Sequence, residues 1–231
     1  MIHQLFIESA VFGVLISMLG YEIGLFLKRK TKSSLCNPLL IAILFVIAVL
    51  LIFHVDYKEY NSGAKYLSYL LTPATICLAV PLYEQLTLLK NHVVAILTGI
   101  VSGVLASLVS ILCFSLLFHF SHAQYATLLP KSITTAIGMG VSEELGGIVT
   151  ITVAVILVTG VWGNMIGEFV CQRFGIKEPI AKGIALGTSA HAIGTAKAME
   201  MGEIEGAMSS LAIAVAGLIT VIGASIFSNF M

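Results

Sequence analysis

Charged side chains are scarce in this sequence. Only 10% of the 231 residues are Asp, Glu, Lys or Arg, whereas 58% are hydrophobic. So little charge cannot cover a soluble domain with polar surface, and a soluble globular protein is therefore excluded. The 12 basic residues balance the 12 acidic ones. No basic surface is left to neutralise phosphates, which excludes a nucleic-acid partner.

Cysteine and catalytic motifs are also sparse. The four cysteines are scattered singly, without C-x-x-C spacing, and we interpret them as small apolar fillers: Cys36, Cys77, Cys113 and Cys171. Neither H-E-x-x-H nor G-x-S-x-G occurs, so an intramembrane enzyme is the least favoured class. No catalytic residue, metal site or cofactor is predicted.

Long apolar runs fill most of the chain and predict an all-α, multi-pass membrane protein. A spanning helix needs ~20 residues, so 231 residues accommodate about seven spans and no separate soluble domain. We therefore treat 1–231 as a single domain. The basic cluster 28–32 follows the first run, which is too long for a cleaved signal, and should be cytoplasmic. The predicted spans are 5–27, 39–53, 66–89, 93–118, 148–171, 184–199 and 207–230.

The segment 128–147 interrupts this pattern with a lysine, a proline and several hydroxyl groups. A lysine at membrane depth costs roughly 2.5–3.5 kcal/mol, so Lys131 should meet a partner, a water-filled cavity or a ligand. We interpret the segment as re-entrant, entering and leaving on one side, although a full span is the alternative. Re-entry places Arg173, Lys177 and Lys182 in the cytoplasm, as the positive-inside rule requires.

Two interrupted crossings suggest an inverted repeat. The units 38–118 and 148–230 each contain a span, an interrupted crossing and a span, and they enter the membrane in opposite orientation. Thr72-Pro73 is interpreted as N-cap and N1 of a half-helix, and Val80-Pro81 as a second break. Residues 187–195 interrupt the other crossing, after which an acidic loop (200–205) should lie outside. Broken helices in matching positions are typical of transporters and predict one shared binding site.

The predicted ligand is a small carboxylate. Half-helix N-termini and Lys131 supply positive charge, and hydroxyl groups could bind a 2-hydroxy or 2-keto group. Each hydroxyl has an alternative role, a bond to its own i−4 carbonyl or to a neighbouring helix. His191 is either a proton-linked switch or a satisfied core histidine. The candidate substrate-binding residues are Thr72, Pro73, Thr75, Lys131, Ser132, Thr134, Thr135, Ser189, His191 and Thr195.

Glycine pairs with G-x-x-x-G spacing predict close helix packing. They suit a bundle with sliding interfaces or a homodimer. The pairs are Gly20/Gly24, Gly99/Gly103, Gly163/Gly167 and Gly183/Gly187.

Specific motifs along most of the chain resemble the LrgB/CidB family of bacterial membrane proteins. They are Asn37-Pro38-Leu39-Leu40, Pro73-Ala74, Pro81-Leu82-Tyr83-Glu84-Gln85, Leu129-Pro130-Lys131-Ser132, Thr134-Thr135, Gly146-Gly147-Ile148, Gly187-Thr188-Ser189-Ala190-His191, Gly194-Thr195-Ala196, Glu205-Gly206-Ala207 and Ser210-Leu211-Ala212. Lys197 stands where members of that family often carry arginine.

The resemblance implies a multi-pass protein of the bacterial inner membrane. Its fold is expected to be similar to those of cation/proton antiporters and anion transporters with crossed broken helices. One line of family description implies an antiholin-like regulator of murein hydrolases and autolysis, working beside a smaller LrgA/CidA-type membrane partner. Another implies transport of pyruvate, glycolate or glycerate. Because a holin needs neither two broken crossings nor an intramembrane lysine, the sequence favours a carrier for monocarboxylates.

Overall fold

The computed structural model describes residues 10–31 and 37–231, which contain helices, turns and bends. The chain forms two compact units, Met1–Cys77 and Leu78–Met231. Four described helices are long and apolar enough to cross a membrane: Val11–Thr31, Val93–Leu117, Val149–Arg173 and Glu203–Phe230. The prediction of an all-α, multi-pass chain is confirmed at this level, and the count of about seven spans stays a prediction.

The first unit contains α1 (Ala10–Thr31), α2 (Pro38–Phe53) and α3 (Tyr57–Ser68). Helix α1 packs closely on α2 through Gly20 and Gly24, because neither carries a side chain to hold the helices apart. The Asn37 side chain caps α2 by accepting from the N–H groups of residues 39 and 40, at 2.8 and 3.2 Å. Asp56 caps α3 by accepting from the Lys58 N–H.

Helices α4 (Leu71–Glu84) and α5 (Leu86–Asn91) follow. Because α4 begins before Thr72, the interpretation of Thr72 as an N-cap is wrong. Pro73 lies in the first turn, where its missing N–H would have no helical partner. The helix continues through Pro81, so the predicted second break does not interrupt it.

The second unit is organised by three helices of 25 residues: α6 (Val93–Leu117), α9 (Val149–Arg173) and α11 (Glu203–Phe227). Between them lie α7 (His122–Leu128), α8 (Thr135–Glu144) and α10 (Pro179–Met201), and a 3₁₀ turn, Ser228–Phe230, ends the chain. Ile96, Ile100 and Val104 recur at helical spacing on α6 and are buried in a core that includes Met208 and Ala212 of α11.

Residues 122–147, here called the first hairpin, enter and leave at the same end of this unit. At their start His122 Nε2 lies 3.2 Å from the carbonyl oxygen of Leu145, near their end. Between these points the chain reaches the middle of α6, where the Ser132 and Ser107 hydroxyls lie 3.2 Å apart. This is the shape predicted for a re-entrant segment.

Residues 179–201, here called the second hairpin, also fold back. The backbone leaves helical geometry at Ala190 and His191, and a Cβ placed on Gly194 would lie 2.7 Å from the carbonyl oxygen of Leu186. In a straight helix those two residues would be about 12 Å apart. Both ends of the hairpin meet the start of α11, since Gly183 contacts Glu205 and Met199 contacts Gly206.

The prediction that 184–199 crosses the membrane is therefore wrong. Because the chain turns back at His191, the acidic residues 200–205 lie beside the basic ones, and Lys182 Nζ is 3.9 Å from Glu205 Oε1. Met231 lies at the end opposite these charged residues, where His122 Nδ1 is 2.7 Å from its carbonyl oxygen. We call the end carrying Arg173, Lys177 and Lys182 the basic end, and the end carrying His119 and His122 the opposite end.

Glycines let the second hairpin's first arm (residues 179–189) approach all three long helices. A Cβ at Gly163 or Gly167 of α9 would overlap the side chains of Ala190 or Leu186. Gly103 of α6 meets Thr188 in the same way, and the arm's own Gly187 packs on the backbone of Ser209 in α11. The predicted close packing at these G-x-x-x-G pairs is present.

Replacing Gly163 with alanine is expected to destabilise the protein by about 1–3 kcal/mol, because the added methyl overpacks the contact with Ala190. The matched control is Gly140→Ala, since nothing lies within 4 Å of a Cβ there and alanine is a better helix former. Thermal unfolding of the purified protein in detergent measures both. Equal melting temperatures for the two variants would contradict the packing described.

The reversal at His191 predicts a definite pattern of labelling. Single cysteines at His119, Lys177 and Glu203, all exposed, are placed in a cysteine-free background and treated with a membrane-impermeant maleimide in oriented vesicles. Positions 177 and 203 should react from one face and position 119 from the other. Reaction of 203 together with 119 would mean that 179–201 crosses the membrane after all.

Candidate functional site

The tips of the two hairpins converge on the central part of α9. Gly138 of the first hairpin packs on Ile156, with a Cβ position 2.5 Å from Ile156 Cδ1. His191 of the second hairpin binds the carbonyl oxygen of the same residue, with Nε2 at 3.0 Å. Two chain reversals entering from opposite ends thus both contact Ile156 of α9.

Lys131 lies at the tip of the first hairpin and lines a cavity of about 440 Å³. Its Nζ donates to the Ser132 hydroxyl at 2.9 Å. The cavity continues along α9 through Trp162 and Gly167 to Cys171 and then to Ile176, beyond the end of that helix. It therefore joins Lys131 to the basic end, and it is lined mainly by apolar side chains.

The other predicted residues of the first hairpin follow Lys131 in the sequence and differ in how deeply they are buried. Ser132 is buried, and its hydroxyl accepts from Lys131 Nζ and lies beside the Ser107 hydroxyl. Thr134 is the N-cap residue of α8 and Thr135 its first residue, and both are partly buried. Helix α8 therefore begins four residues after Lys131.

His191 occupies the turn of the second hairpin in a strained conformation. It is 3% exposed, and its backbone has φ 41° and ψ −139°, a region that favours glycine. Since a carbonyl oxygen only accepts, Nε2 carries the proton in the bond to Ile156. Gly160 makes room for this imidazole, because a Cβ there would lie 2.6 Å from His191 Cε1. The interpretation of a satisfied buried histidine is supported, and strain of this kind is concentrated at functional sites.

The remaining hydroxyls of the second hairpin divide between cavity and core. Ser189 lines the cavity with Lys131 while donating to the Ala185 carbonyl at 2.6 Å. Thr195 is buried, donates to the His191 carbonyl and lies 2.7 Å from the Ser209 hydroxyl of α11. Ser189 thus shares a surface with Lys131, whereas Thr195 holds the second arm (192–201) on α11.

Thr72, Pro73 and Thr75 lie on α4 and belong to the first compact unit. Pro73 is exposed, and the side chains of the two threonines lie outside the described part of the chain. Their role in substrate binding stays a prediction.

Lys197 forms an ion pair instead of facing the cavity. Its Nζ lies 2.6 Å from Glu168 Oε2 of α9 and 3.5 Å from Glu200 Oε2. The charge therefore ties the second arm to α9.

Three contributors to this site were missed from the sequence. Ser107 meets Ser132, Gly160 accommodates His191, and Asn164 Nδ2 donates to the Ile193 carbonyl at 2.7 Å, just beyond the turn. The spacing of Gly160, Gly163 and Gly167 along one face of α9 was the available signal, because it marks the surface that receives the hairpin. Nothing local distinguishes Ser107 or Asn164 from other polar residues in apolar helices.

The chain matches a known protein family over most of its length. The model of the LrgB-like family matches residues 17–230. The chain belongs to the LrgB-like family. It is 38% identical over 221 residues to proteins named antiholin-like protein LrgB from Bacillus mycoides (strain KBAB4) and Bacillus cereus (strain B4264), covering 95% of this chain and 96% of each relative. No solved structure matches.

Membership in this LrgB-like family, together with four long apolar helices, establishes a multi-pass bacterial membrane protein. The resemblance found in the sequence is confirmed. The relatives are named antiholin-like, and that name gives no substrate, so the chemistry has to be argued from the residues themselves.

A buried hydroxyl cluster closes the base of the first hairpin. The Thr152 hydroxyl of α9 lies 2.6 Å from that of Ser142 and 3.0 Å from the carbonyl oxygen of Thr127. The Thr127 hydroxyl in turn accepts from the Ile148 N–H at 2.8 Å. All three residues are buried, so each bond replaces one that water would otherwise make.

Thr152→Val keeps the shape of this side chain but removes its hydroxyl, and should lower stability by about 1–3 kcal/mol because buried polar partners lose a bond. The control is Thr98→Val, since the exposed Thr98 hydroxyl only bonds carbonyls of its own helix. Melting temperatures of both variants check this, and an equally small effect at both sites would show that the cluster contributes nothing.

Proposed function

We propose that this protein is a secondary transporter for small monocarboxylates such as pyruvate, glycolate or glycerate. The supporting observation is the cavity that joins Lys131 and Ser189, at hairpin tips from opposite ends, to the basic end of the unit. A single cation near mid-height matches a single carboxylate, and nearby hydroxyls suit a 2-keto or 2-hydroxy group.

The arrangement of span and hairpin supports the transporter interpretation. Helix α6 with the first hairpin and α9 with the second repeat the same order, span then hairpin, in opposite orientation. Such inverted pairs allow one site to face each side of a membrane in turn. Because 184–199 turns back, we propose the other six of the seven predicted spans, a re-entrant first hairpin and elevator-like movement of one bundle against a scaffold. The wider repeat units, 38–118 and 148–230, remain part of this proposal.

Charge distribution supports a cytoplasmic position for the basic end. Lysine and arginine accumulate on the cytoplasmic side of membrane proteins, and Arg173, Lys177 and Lys182 lie at this end. The cavity that contains Lys131 would then open toward the cytoplasm.

We further propose that the scaffold is completed by a smaller LrgA/CidA-type membrane protein or by a second copy of this chain. The alternative function, an antiholin-like regulator of murein hydrolases and autolysis, is favoured by the name of the Bacillus relatives. A regulator has no requirement for a lysine in a mid-height cavity, so the carrier is the better supported of the two.

The test is uptake of labelled pyruvate, glycolate and glycerate into liposomes under a pH gradient, with and without the LrgA-type partner. Lys131→Ala is expected to abolish saturable uptake, because the carboxylate loses its countercharge, the only charged side chain among the described residues that line the cavity. Lys177→Ala removes an exposed lysine of the loop after α9 and should leave uptake unchanged.

Unselective dye release without saturable uptake, from protein that is verified as folded, would favour the antiholin-like alternative. Saturable uptake that survives Lys131→Ala would retain a carrier but remove this lysine from its site.

A further inference from the structure

The two hairpins are attached to the rest of the unit in different ways. The first is held along its base by the buried Thr127, Ser142 and Thr152 bonds. In addition the buried Tyr125 donates its hydroxyl to the Phe227 carbonyl at 3.0 Å, which ties the hairpin to the end of α11. Moving this hairpin would break several buried hydrogen bonds at once.

The second hairpin lies on α9 mainly through glycine surfaces. At Gly163 and Gly167 α9 presents no side chain, and Ala190 and Leu186 lie against its backbone there. Dispersion contacts on a smooth face resist sliding less than interdigitated side chains do. Two hydrogen bonds hold its tip on α9: His191 Nε2 to the Ile156 carbonyl at 3.0 Å and Asn164 Nδ2 to the Ile193 carbonyl at 2.7 Å. The second arm is held separately, by the Lys197–Glu168 ion pair to α9 and by Thr195 to α11, so the first arm and the tip are the parts free to move.

The first arm of this hairpin is bordered by a cavity on each side, although it touches α6 at Gly103. A cavity of about 940 Å³ lies between the arm and α6, reaching from His92 to Ala106. The cavity of about 440 Å³ that contains Lys131 lies between the arm and α9. Ala185 lines both cavities, so the arm is a wall one helix thick. Displacement toward the α6 side would widen the path to Lys131.

The tip stores strain that such a displacement would release. The left-handed φ of His191 is strained and persists only while its contacts hold it. Two bonds hold this turn on α9: the His191 side chain binds the Ile156 carbonyl, and Asn164 binds the carbonyl of Ile193, two residues further along.

We propose that the second hairpin is the moving gate of the path to Lys131, and that Asn164 is a positioning residue which, with His191, latches its tip on α9. The first hairpin is the static counterpart. The role in transport rests on the proposed function, whereas the movement itself does not.

Cys171 provides a built-in reporter. It lines the cavity with Ala185 and Leu186 of the first arm and is only 4% exposed. In a variant that keeps this cysteine and replaces Cys36, Cys77 and Cys113 with serine, the rate of maleimide labelling measures how often the arm moves away.

Asn164→Ala should raise the labelling rate of Cys171 about fivefold or more, since loss of one hydrogen bond shifts an equilibrium by about that factor. His191→Gly removes the other bond and also the backbone strain, and it should raise the labelling rate by itself. This variant tests the gate if Asn164→Ala does not fold. Where uptake is measurable, Asn164→Ala should change the maximal rate more than the substrate concentration at half-saturation, because Asn164 does not line the cavity.

Ser142→Ala is the matched control, because it loosens the first hairpin through a buried bond of similar kind. It should lower the melting temperature without accelerating Cys171 labelling. Unchanged labelling in both folded latch variants, or equal acceleration by Ser142→Ala, overturns the gate. Since labelling needs no substrate, accelerated labelling without any uptake would remove the transporter proposal and keep the gate.

Discussion

A chain that turns back inside an apolar unit leaves backbone groups at the turn without helical partners, and the rest of residues 78–231 depends on how those groups are satisfied. At the second turn, the Thr195 hydroxyl reaches the His191 carbonyl and Asn164 reaches that of Ile193. At the base of the first hairpin, Thr127 accepts from the Ile148 N–H. Polar side chains in these apolar helices are therefore placed where the backbone needs them.

Close approach of backbones is the second requirement. An arm that lies among three long helices would be excluded by ordinary side chains, and glycine removes them at each contact: Gly103 on α6, Gly163 and Gly167 on α9, and Gly187 on the arm itself. The same smooth contacts leave the arm with few interlocking groups. The missing Cβ atoms thus explain both the close packing of the arm on α9 and its freedom to slide there. The first hairpin, by contrast, is fixed by directional hydrogen bonds.

Several features of the site could be predicted from residue type alone. Lys131 was singled out because an amine in an apolar chain needs a special environment, and it lines a cavity with Ser189. His191 was placed at a break because Gly187 and Gly194 flank polar residues in an apolar stretch. Ser107, Gly160 and Asn164 could not be found in this way, since their partners lie 25 to 31 residues away in sequence and only folding brings them together.

The sequence by itself determined the all-helical membrane class, the four long apolar helices and the position of the first hairpin, because apolar length and the cost of burying charge act locally along the chain. Only the tertiary structure decided that 179–201 turns back. This places Glu205 beside Lys182 and puts Met231 at the opposite end of the unit, beside His122. A broken helix and a hairpin share the same local pattern of small and polar residues. The difference is set by whether neighbouring helices offer a surface for both arms, and here α9 and α11 do.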